Sequence, residues 1–450
     1  MLTGYLKTTA RATLRQTRQG KYALFGRRIF EINDTVEYIL SLCDGTRTQE
    51  QIAGELFAHY GGDQQAVESK LAGFVSGMLK QGVLVTTETA SPSEPIYRPI
   101  KPASIILELT HACNERCAYC VTRAGKSLHN ELTFAEFDRL VDEIIALRIN
   151  PVNLTGGDPL LRKDLLLHMA RRISQAGLTP KLLTNAVLIT EKVAQELHEA
   201  GIRKAQVSID GEADAHDQVR GLTGAFERAR SGITALRGVG IEVTIATTVI
   251  GDNFSVEALD KLSTLVHSLG DKVKIAPVIP EGRGQDCSHL LSPDQRFQFL
   301  EYMHRTPDGS LHADVFPRER CSIGTTPLVQ SNGDVFPCML TRFEELKIGN
   351  IRQNSLQQIW DESEKLKELL SWKIEDIQGC RTCWNKLFCG GGCRGVAFGQ
   401  HGTIYKNDPS VCVAQRRFAK ELLCRGTPQT RQALEKLIPE GIPEVSYDHQ

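Results

Sequence analysis

Between Ser104 and about Pro280 the sequence alternates between short apolar strands and helical segments, and few folds accommodate that order. The strand segments read SIILEL, VNLT, TPKLLT, AQVSID, EVTIATTVI and VKIAPVI, with helical patterns such as 133–148 and 162–176 between them. Such alternation requires parallel strands joined by right-handed crossovers. Six units predict an α/β fold with a partial (β/α)6 TIM-like barrel, and chemistry is then expected at the carboxyl ends of the strands.

A module with a different pattern precedes the barrel. It reads as a hairpin at 22–31, helices over 33–43, 49–60 and 63–81, and a final strand, GVLV. Thr48 and Gln51 form a capping box that opens the second of these helices. This order is typical of a winged helix. The first 28 residues carry seven cationic residues and no acid, which predicts a frayed basic arm before Tyr22, with an organellar transit peptide as the alternative.

The remaining boundaries follow from composition shifts. The segment TTETASPSEPIYRPIKP is rich in Pro, Ser and Thr, as linkers are. After residue 281 the alternation gives way to a loop-rich, cysteine-rich region up to about 412, and then to one helix over roughly 414–438. We therefore expect a winged-helix domain over 1–90, a linker over 91–103, the barrel over 104–285, a cysteine-rich domain over 286–413 and a C-terminal helix and tail over 414–450.

Charge and hydropathy exclude several function classes. Lys and Arg number 53 against 54 Asp and Glu, so no global charge favours nucleic acid. No apolar run approaches the roughly 20 residues that a spanning helix needs, and no secretory signal is present. We expect a cytoplasmic protein without nucleic-acid or membrane partners. In a reducing compartment its 13 cysteines are expected to serve metals or chemistry rather than disulfides.

Three of these cysteines, Cys113, Cys117 and Cys120, follow the first barrel strand at C-x3-C-x2-C spacing. Half of a zinc site or a chance spacing is the alternative, but three cysteines on a [4Fe–4S] cluster leave one iron open, and structural zinc takes four ligands. The spacing, placed on this loop, resembles the signature of the radical S-adenosylmethionine (radical SAM) superfamily. The resemblance implies that the open iron chelates SAM and that the cluster cleaves it to a 5′-deoxyadenosyl radical.

The resemblance extends over essentially all of 104–280. It implies that Tyr119 lies beside the adenine and that Gly156, Gly157 and Asp158 of TGGDP hold the methionine amino group, with Asp158 standing where the family usually has Glu. The other cofactor-binding positions that it implies are Thr184, Asn185, Ser208, Asp210 and Arg220, with Ser208 and Arg220 at the ribose or carboxylate. Taken singly, Ser208 or Asp210 is more simply explained as an ordinary cap or loop contact.

Seven more cysteines lie near the C-terminus, at Cys321, Cys338, Cys380, Cys383, Cys389, Cys393 and Cys412. Two structural zinc sites are the alternative that spacing alone suggests. The order and spacing resemble the SPASM extension of radical SAM enzymes, which implies two auxiliary [4Fe–4S] clusters and three clusters in all. By that pattern Cys321, Cys338 and Cys393 hold the first, and Cys380, Cys383, Cys389 and Cys412 hold the second. The first then has an open iron, or is completed by Cys287, water or a carboxylate.

The winged-helix module carries no basic stripe suited to DNA, since residues 1–90 hold ten Lys or Arg against nine Asp or Glu. Residues 20–86 instead resemble the recognition element of enzymes that modify ribosomally synthesised peptides (RiPPs). This implies that a precursor peptide is the partner and that its leader is bound as an added strand. The expected edge is the YALFGRRIFE hairpin, with Arg27 and Arg28 attracting acidic leader residues.

Taken together, the three parts resemble sactisynthases, in which a radical SAM oxidoreductase matures a peptide. The resemblance implies a Cys sulfur-to-carbon thioether as product and a flavodoxin- or ferredoxin-type electron donor. Carbon–carbon crosslinking or another oxidation of a peptide or protein, and chemistry on tetrapyrrole precursors, are the alternatives within the class. A non-catalytic iron–sulfur electron carrier and a metal-dependent transcription factor are the alternatives outside it.

Overall fold

The structure is a computed structural model that describes residues 4–8, 13–17, 20–25, 28–90, 102–286, 290–318 and 321–438. Arg27 and Cys287 lie outside these residues, as does the side chain of Arg28. In the described part of the chain no helix is long and apolar enough to cross a membrane.

The N-terminal domain combines two small antiparallel sheets with three helices. Its elements are β1 (Tyr5–Thr8), β2 (Thr13–Thr17), β3 (Gly20–Phe25), β4 (Arg28–Ile32), α1 (Asp34–Leu42), β5 (Asp44–Thr48), α2 (Gln49–Tyr60), α3 (Gln64–Lys80) and β6 (Leu84–Thr87). The predicted hairpin, the three helices and the Thr48–Gln51 capping box are confirmed.

The prediction of a frayed basic arm before Tyr22 is wrong. Strand β1 is the central strand of the sheet β5-β1-β6, and Leu6 is fully buried in the domain core with Ile52 and Val75. Strand β2 pairs with β3 at the edge of the second sheet, β2-β3-β4. The sequence pattern did not predict β1 because a strand buried on one face needs few apolar positions, and Leu6 stands among many cations.

The second domain is the predicted partial barrel. Its elements are β7 (Ile105–Glu108), α4 (Phe134–Ala146), β8 (Val152–Thr155), α5 (Lys163–Gln175), β9 (Pro180–Thr184), α6 (Glu191–Glu199), β10 (Lys204–Ser208), α7 (Ala213–Arg220), α8 (Ala225–Gly238), β11 (Glu242–Val249), α9 (Val256–Leu269) and β12 (Lys272–Pro277). All six predicted strands form, and each pairs in parallel with its sequence neighbours. Alternate strand residues such as Leu107, Leu154 and Val207 pack under the helices in one large core.

The C-terminal region is more helical than its sequence predicts. Its elements are α10 (Pro293–His304), β13 (Leu328–Val329), β14 (Asp334–Phe336), β15 (Gly349–Asn350), α11 (Leu356–Glu362), α12 (Glu364–Ser371), α13 (Lys386–Cys389), α14 (Arg394–His401), α15 (Pro409–Arg425) and α16 (Pro428–Glu435). Strand β13 pairs in parallel with β7, so the sheet runs β12-β11-β10-β9-β8-β7-β13-β14-β15. The cysteine-rich region thus adds a seventh parallel strand to the barrel sheet.

The single helix predicted over 414–438 is wrong. Two helices occupy this stretch, and the first begins earlier, at Pro409, where the Asp408 carboxylate caps it. The chain leaves the helical conformation at Gly426, and Thr427 caps α16, which opens on Pro428. Proline is favoured at a first helical position because it has no N–H to leave unsatisfied, so the break is encoded locally.

Candidate active site and cysteine groups

The loop that carries Cys113, Cys117 and Cys120 is joined by main-chain bonds to the glycine segment after β8. The amide of Gly157 donates to the Thr110 oxygen at 2.7 Å, and that of Asp158 to the Ala112 oxygen at 2.8 Å. A Cβ added at Gly157 would lie 2.1 Å from the Ala112 oxygen, and one at Gly156 would lie 2.6 Å from the Thr110 oxygen. The two predicted glycines therefore permit the contact between this segment and the cysteine loop.

The thiols of this loop lie in a desolvated setting. Burial raises the pKa of Cys113 to about 11 and that of Cys117 to about 12. Cys120 lies close enough to add its charge to both rises. Buried thiols become thiolates when a cation compensates the charge, as metal ions do. The three thiols that the sequence singled out are therefore brought together in a place suited to iron.

The Asp158 carboxylate is turned into the protein. It is fully buried, and it accepts hydrogen bonds from Thr184 Oγ1 at 2.7 Å and from the amides of Asn185 and Leu160 at 3.0 Å. The side-chain amide of Asn185 in turn donates to Asn114 Oδ1 on the cysteine loop, at 2.8 Å. Asp158, Thr184 and Asn185 thus form one brace between the ends of two strands and the cysteine loop.

Arg220 joins a second network on the other side of the loop. Its guanidinium pairs with Asp210 at 2.6 Å and with Glu115 at 3.3 Å, and all three side chains are buried. The Tyr119 hydroxyl donates to the same Asp210 carboxylate at 2.5 Å, and Arg220 Cζ lies 5.7 Å from the centre of the Tyr119 ring. Three predicted residues are therefore assembled here. Ser208 joins neither network among the described residues.

Several polar atoms around the loop are buried without a hydrogen-bond partner. They are Asn114 Nδ2, Glu115 Oε1, His216 Nε2 and Arg220 Nε. Buried polar groups in native proteins are normally satisfied, so unpaired ones gathered beside three thiols mark a place for a polar ligand. The site fits a cofactor that carries amino, carboxylate and hydroxyl groups next to an iron–sulfur cluster.

Sequence reasoning missed three residues that hold the loop. Glu131 accepts from the His111 amide at 2.7 Å and from Thr110 Oγ1 at 3.0 Å. Arg283 donates to the main-chain oxygens of Cys117 at 2.7 Å and Ala124 at 3.0 Å. Glu115, inside the C-x3-C-x2-C segment, could have been noticed as a charge in a loop expected to be buried. Nothing in the sequence marks Glu131 or Arg283.

The seven C-terminal cysteines separate into two groups. Burial raises the pKa of Cys393 to about 12, and the charges of Cys321 and Cys338 contribute. Burial likewise raises the pKa of Cys389 to about 12, with contributions from Cys380, Cys412 and Cys383. These are the two interleaved sets that the resemblance to the SPASM extension implies.

In the parts of the chain that the structure covers, no group of three or more His, Cys, Asp or Glu side chains could hold a metal ion together. A four-iron cluster is wider than one ion, and its ligands lie correspondingly farther apart.

Three family comparisons match the three parts of the chain. Residues 107–266 match the radical SAM superfamily, residues 321–384 match the SPASM iron–sulfur cluster-binding domain, and residues 22–84 match coenzyme PQQ synthesis protein D. The AdoMet-dependent heme synthase of Methanosarcina barkeri is 32% identical over 343 residues, an alignment that covers 68% of this chain and 95% of the synthase. The chain belongs to the radical SAM superfamily.

Other proteins are also similar to this radical SAM chain. The mycofactocin maturase of Mycobacterium tuberculosis is 28% identical, over 66% of this chain and 79% of the maturase. Among solved structures, anSMEcpe with bound AdoMet has a TM-score of 0.58 at 18% identity and covers 74% of this chain and 99% of its own. Streptococcus suis SuiB bound to precursor peptide SuiA has a TM-score of 0.56 at 13% identity, with coverages of 90% and 99%. These two likenesses establish the fold.

Membership in the family gives the cofactors. The radical SAM and SPASM domains carry [4Fe–4S] clusters, one for SAM cleavage and auxiliary ones, together with SAM itself. When bound, cluster and SAM supply a radical able to remove a hydrogen atom from a substrate. The part of the protein is to hold the cofactor against the cysteine loop, orient the substrate and exclude water.

Proposed function

We propose that this radical SAM enzyme matures a ribosomally synthesised precursor peptide by forming a Cys sulfur-to-carbon thioether. The ligand sets belong to the proposal. Cys113, Cys117 and Cys120 hold the SAM-cleaving cluster, Cys321, Cys338 and Cys393 hold the first auxiliary cluster, and Cys380, Cys383, Cys389 and Cys412 hold the second. The domain boundaries given above are proposed with them.

The observation that carries the thioether is the three-thiol group. Cys321, Cys338 and Cys393 approach one another, and the sequence has no further cysteine between Cys321 and Cys338. A cluster with three protein thiolates has one iron free to bind a thiolate from the substrate, since iron readily takes sulfur ligands. Cys287 lies outside the described residues and stays the alternative fourth ligand.

Leader binding is supported by the N-terminal domain. Strand β3 is central in the sheet β2-β3-β4, so β4, the second strand of the YALFGRRIFE hairpin, is an edge strand. An edge strand offers unpaired main-chain groups to an added peptide strand. SuiB, which is similar in fold, was solved with its precursor peptide. We place the leader on β4, with Arg27 and Arg28 as the cations that attract its acidic residues.

Two further parts of the proposal rest on cofactor chemistry. Reductive SAM cleavage needs an electron, and we assign its supply to a flavodoxin- or ferredoxin-type donor. Cysteines can hold iron–sulfur clusters only while they are not oxidised to disulfides, which a reducing compartment ensures. We therefore place the enzyme in the cytoplasm.

A second candidate function has its own support. The heme synthase of Methanosarcina barkeri is more identical to this chain than the mycofactocin maturase is. Tetrapyrrole chemistry on the same barrel is therefore the competing activity. Residues 22–84 match coenzyme PQQ synthesis protein D, and we propose that they bind a leader peptide. This domain therefore favours a peptide over a tetrapyrrole as the substrate.

The first experiment tests radical chemistry alone. Reconstituted protein is incubated anaerobically with SAM and a reductant, and 5′-deoxyadenosine is assayed. We expect cleavage by the wild type and none by the variant with Cys113→Ala, Cys117→Ala and Cys120→Ala. Absence of cleavage from protein with its full iron and sulfide would leave a non-catalytic electron carrier as the function.

The second experiment tests the substrate. The neighbouring genes are searched for a short cysteine-bearing precursor, that peptide is incubated with the active enzyme, and the product is mapped by tandem mass spectrometry after thiol alkylation. A thioether predicts the loss of two hydrogen atoms and a cysteine that no longer alkylates. Loss of two hydrogens with every cysteine still alkylated would indicate a carbon–carbon crosslink, and conversion of a tetrapyrrole instead of the peptide would favour the second candidate.

A further inference from the structure

Arg394 is a buried cation in the cysteine-rich domain. It directly follows Cys393, it begins α14, and its side chain has no exposed surface. Its Nη1 donates to the main-chain oxygens of Ile404 at 2.5 Å and Lys406 at 2.7 Å, and its Nη2 donates to the oxygen of Gly391. The guanidinium is thus held in one place by neutral acceptors.

Among the described residues, the Arg394 charge is met by neutral groups, namely main-chain oxygens and the Trp372 ring, whose centre lies 5.6 Å from Cζ. Within the residues that the structure describes, Arg394 forms no ion pair with a carboxylate, and its Nε is buried without a hydrogen-bond partner. An isolated buried charge is costly, and buried charges are normally paired or lie beside metal sites. The missing counter-charge and the missing acceptor therefore point to a group that is neither main chain nor carboxylate.

The position of Arg394 shows where that group lies. The Arg394 amide donates a hydrogen bond to Cys321, a cysteine of the first group. Its guanidinium donates to the main-chain oxygen of Gly391, which lies in the glycine stretch between Cys389 of the second group and Cys393 of the first. The same cation is therefore held between the two cysteine groups.

We propose that Arg394 is a positioning residue shared by the two auxiliary clusters, as their common counter-ion and as an Nε–H donor to cluster sulfur. The inference rests on the ligand sets proposed above. A thiolate-ligated cluster becomes more negative when it is reduced, and a fixed cation and an N–H···S hydrogen bond both stabilise the reduced form. Arg394 therefore raises the midpoint potentials of both auxiliary clusters and makes them better acceptors of the electron that leaves an oxidised substrate.

The chain offers a matched control. Arg416 donates from Nη2 to Cys412 Sγ at 3.0 Å, on the exposed side of the second cysteine group. The thiols that act on its charge, Cys412, Cys383 and Cys380, all belong to the second group. Arg416→Gln removes a cation from one cluster, whereas Arg394→Gln removes a cation from two.

The test is an anaerobic redox titration followed by electron paramagnetic resonance. All proteins carry Cys113→Ala, Cys117→Ala and Cys120→Ala, so that the two auxiliary clusters alone contribute. We expect Arg394→Gln to lower both midpoint potentials and Arg416→Gln to lower that of the second cluster only. Wild-type potentials in an Arg394→Gln protein with full iron and sulfide would overturn the proposal. Absence of auxiliary clusters from the parent protein would instead contradict the ligand sets.

Arg394→Gln leaves three main-chain oxygens without their donor and is at risk of not folding. A second measurement detects the N–H···S bond in protein that keeps Arg394, using Arg416→Gln protein labelled with nitrogen-15 in the guanidinium groups. Pulsed resonance on the reduced clusters should detect coupling to a labelled nitrogen, and Arg394→Lys, which keeps the charge, should abolish it. A spectrum without arginine coupling would refute the donor role.

Discussion

The guanidinium of Arg220 lies 2.6 Å from the carboxylate of Asp210, and both side chains are buried beside the cysteine loop. The pair joins the end of α7 to the end of β10, and Tyr119 binds the same carboxylate from the loop itself. The residues expected to contact the cofactor thus also hold one another in place, and variants at these positions should change stability as well as SAM cleavage.

Replacement of Arg220 should show this double effect. Arg220→Met leaves the carboxylates of Asp210 and Glu115 buried without their cation, and we expect a loss of about 3–5 kcal/mol in the free energy of unfolding. Anaerobic calorimetry of cluster-loaded protein measures the change. Arg230→Met is the control, because the Arg230–Glu227 pair is more than half exposed and should contribute less than about 1 kcal/mol. Equal effects of the two changes would contradict the buried role.

A methyl group at Gly157 should disrupt the cysteine loop. The added Cβ would lie 2.1 Å from the Ala112 oxygen, so Gly157→Ala must push the segment TGGDP away from the loop. We expect loss of SAM cleavage and reduced iron content after reconstitution. Gly238→Ala in α8 is the control, since no atom lies within 4 Å of its added Cβ. If Gly157→Ala protein cleaves SAM at the wild-type rate, the close contact does not exist in solution.

Asp158, which stands where the family usually has Glu, should not tolerate replacement by Glu. The Asp158 carboxylate is fully buried and satisfied by three donors, so the longer side chain of Asp158→Glu has no room. Overpacking of this kind costs about 1–3 kcal/mol, and the melting temperature of the variant should fall. SAM affinity, measured by equilibrium dialysis, should fall with it because the Asn185–Asn114 bond would be displaced. Tighter SAM binding by Asp158→Glu would show that the family residue fits here after all.

The carboxyl group of Glu281 should make stability depend on pH. Glu281 is 6% exposed, and burial, with a smaller contribution from Asp408, raises its pKa to about 7. The folded protein then binds this proton more tightly than the unfolded chain does, so the stabilisation is present below pH 4.5 and is lost as the pH rises through 7. At pH values above 7, Glu281→Gln should be more stable than the wild type by about 3–4 kcal/mol, from about 1.4 kcal/mol for each pKa unit.

The measurement for Glu281 is a series of anaerobic melting curves across this pH range. The difference between Glu281→Gln and the wild type should vanish on acidification. Exposed Glu345 provides the control, because Glu345→Gln should shift the curves little at any pH. A pH profile unchanged by Glu281→Gln would mean that this carboxyl group is ionised in the folded protein like an exposed one.

The sequence by itself determined the barrel and the positions of the cysteines, and the resemblance to the SPASM extension predicted how those cysteines group. Alternating strands and helices can close only by parallel pairing, and thiols at these spacings have few uses in a reducing compartment. The start of α2 at Thr48 could also be predicted from the sequence, because a capping box involves only four consecutive residues.

Contacts between distant segments were decided by the tertiary structure alone. Leu6 in β1, the parallel pairing of β13 with β7 and the Arg283 bonds to the cysteine loop join residues far apart in the chain, and no local pattern records such partners. The same holds for Arg394. Its sequence neighbours mark it only as the residue after a cysteine, while its burial without a carboxylate becomes visible once the chain has folded around it. Local signals report what a segment prefers, and long-range packing decides which charges lose their water.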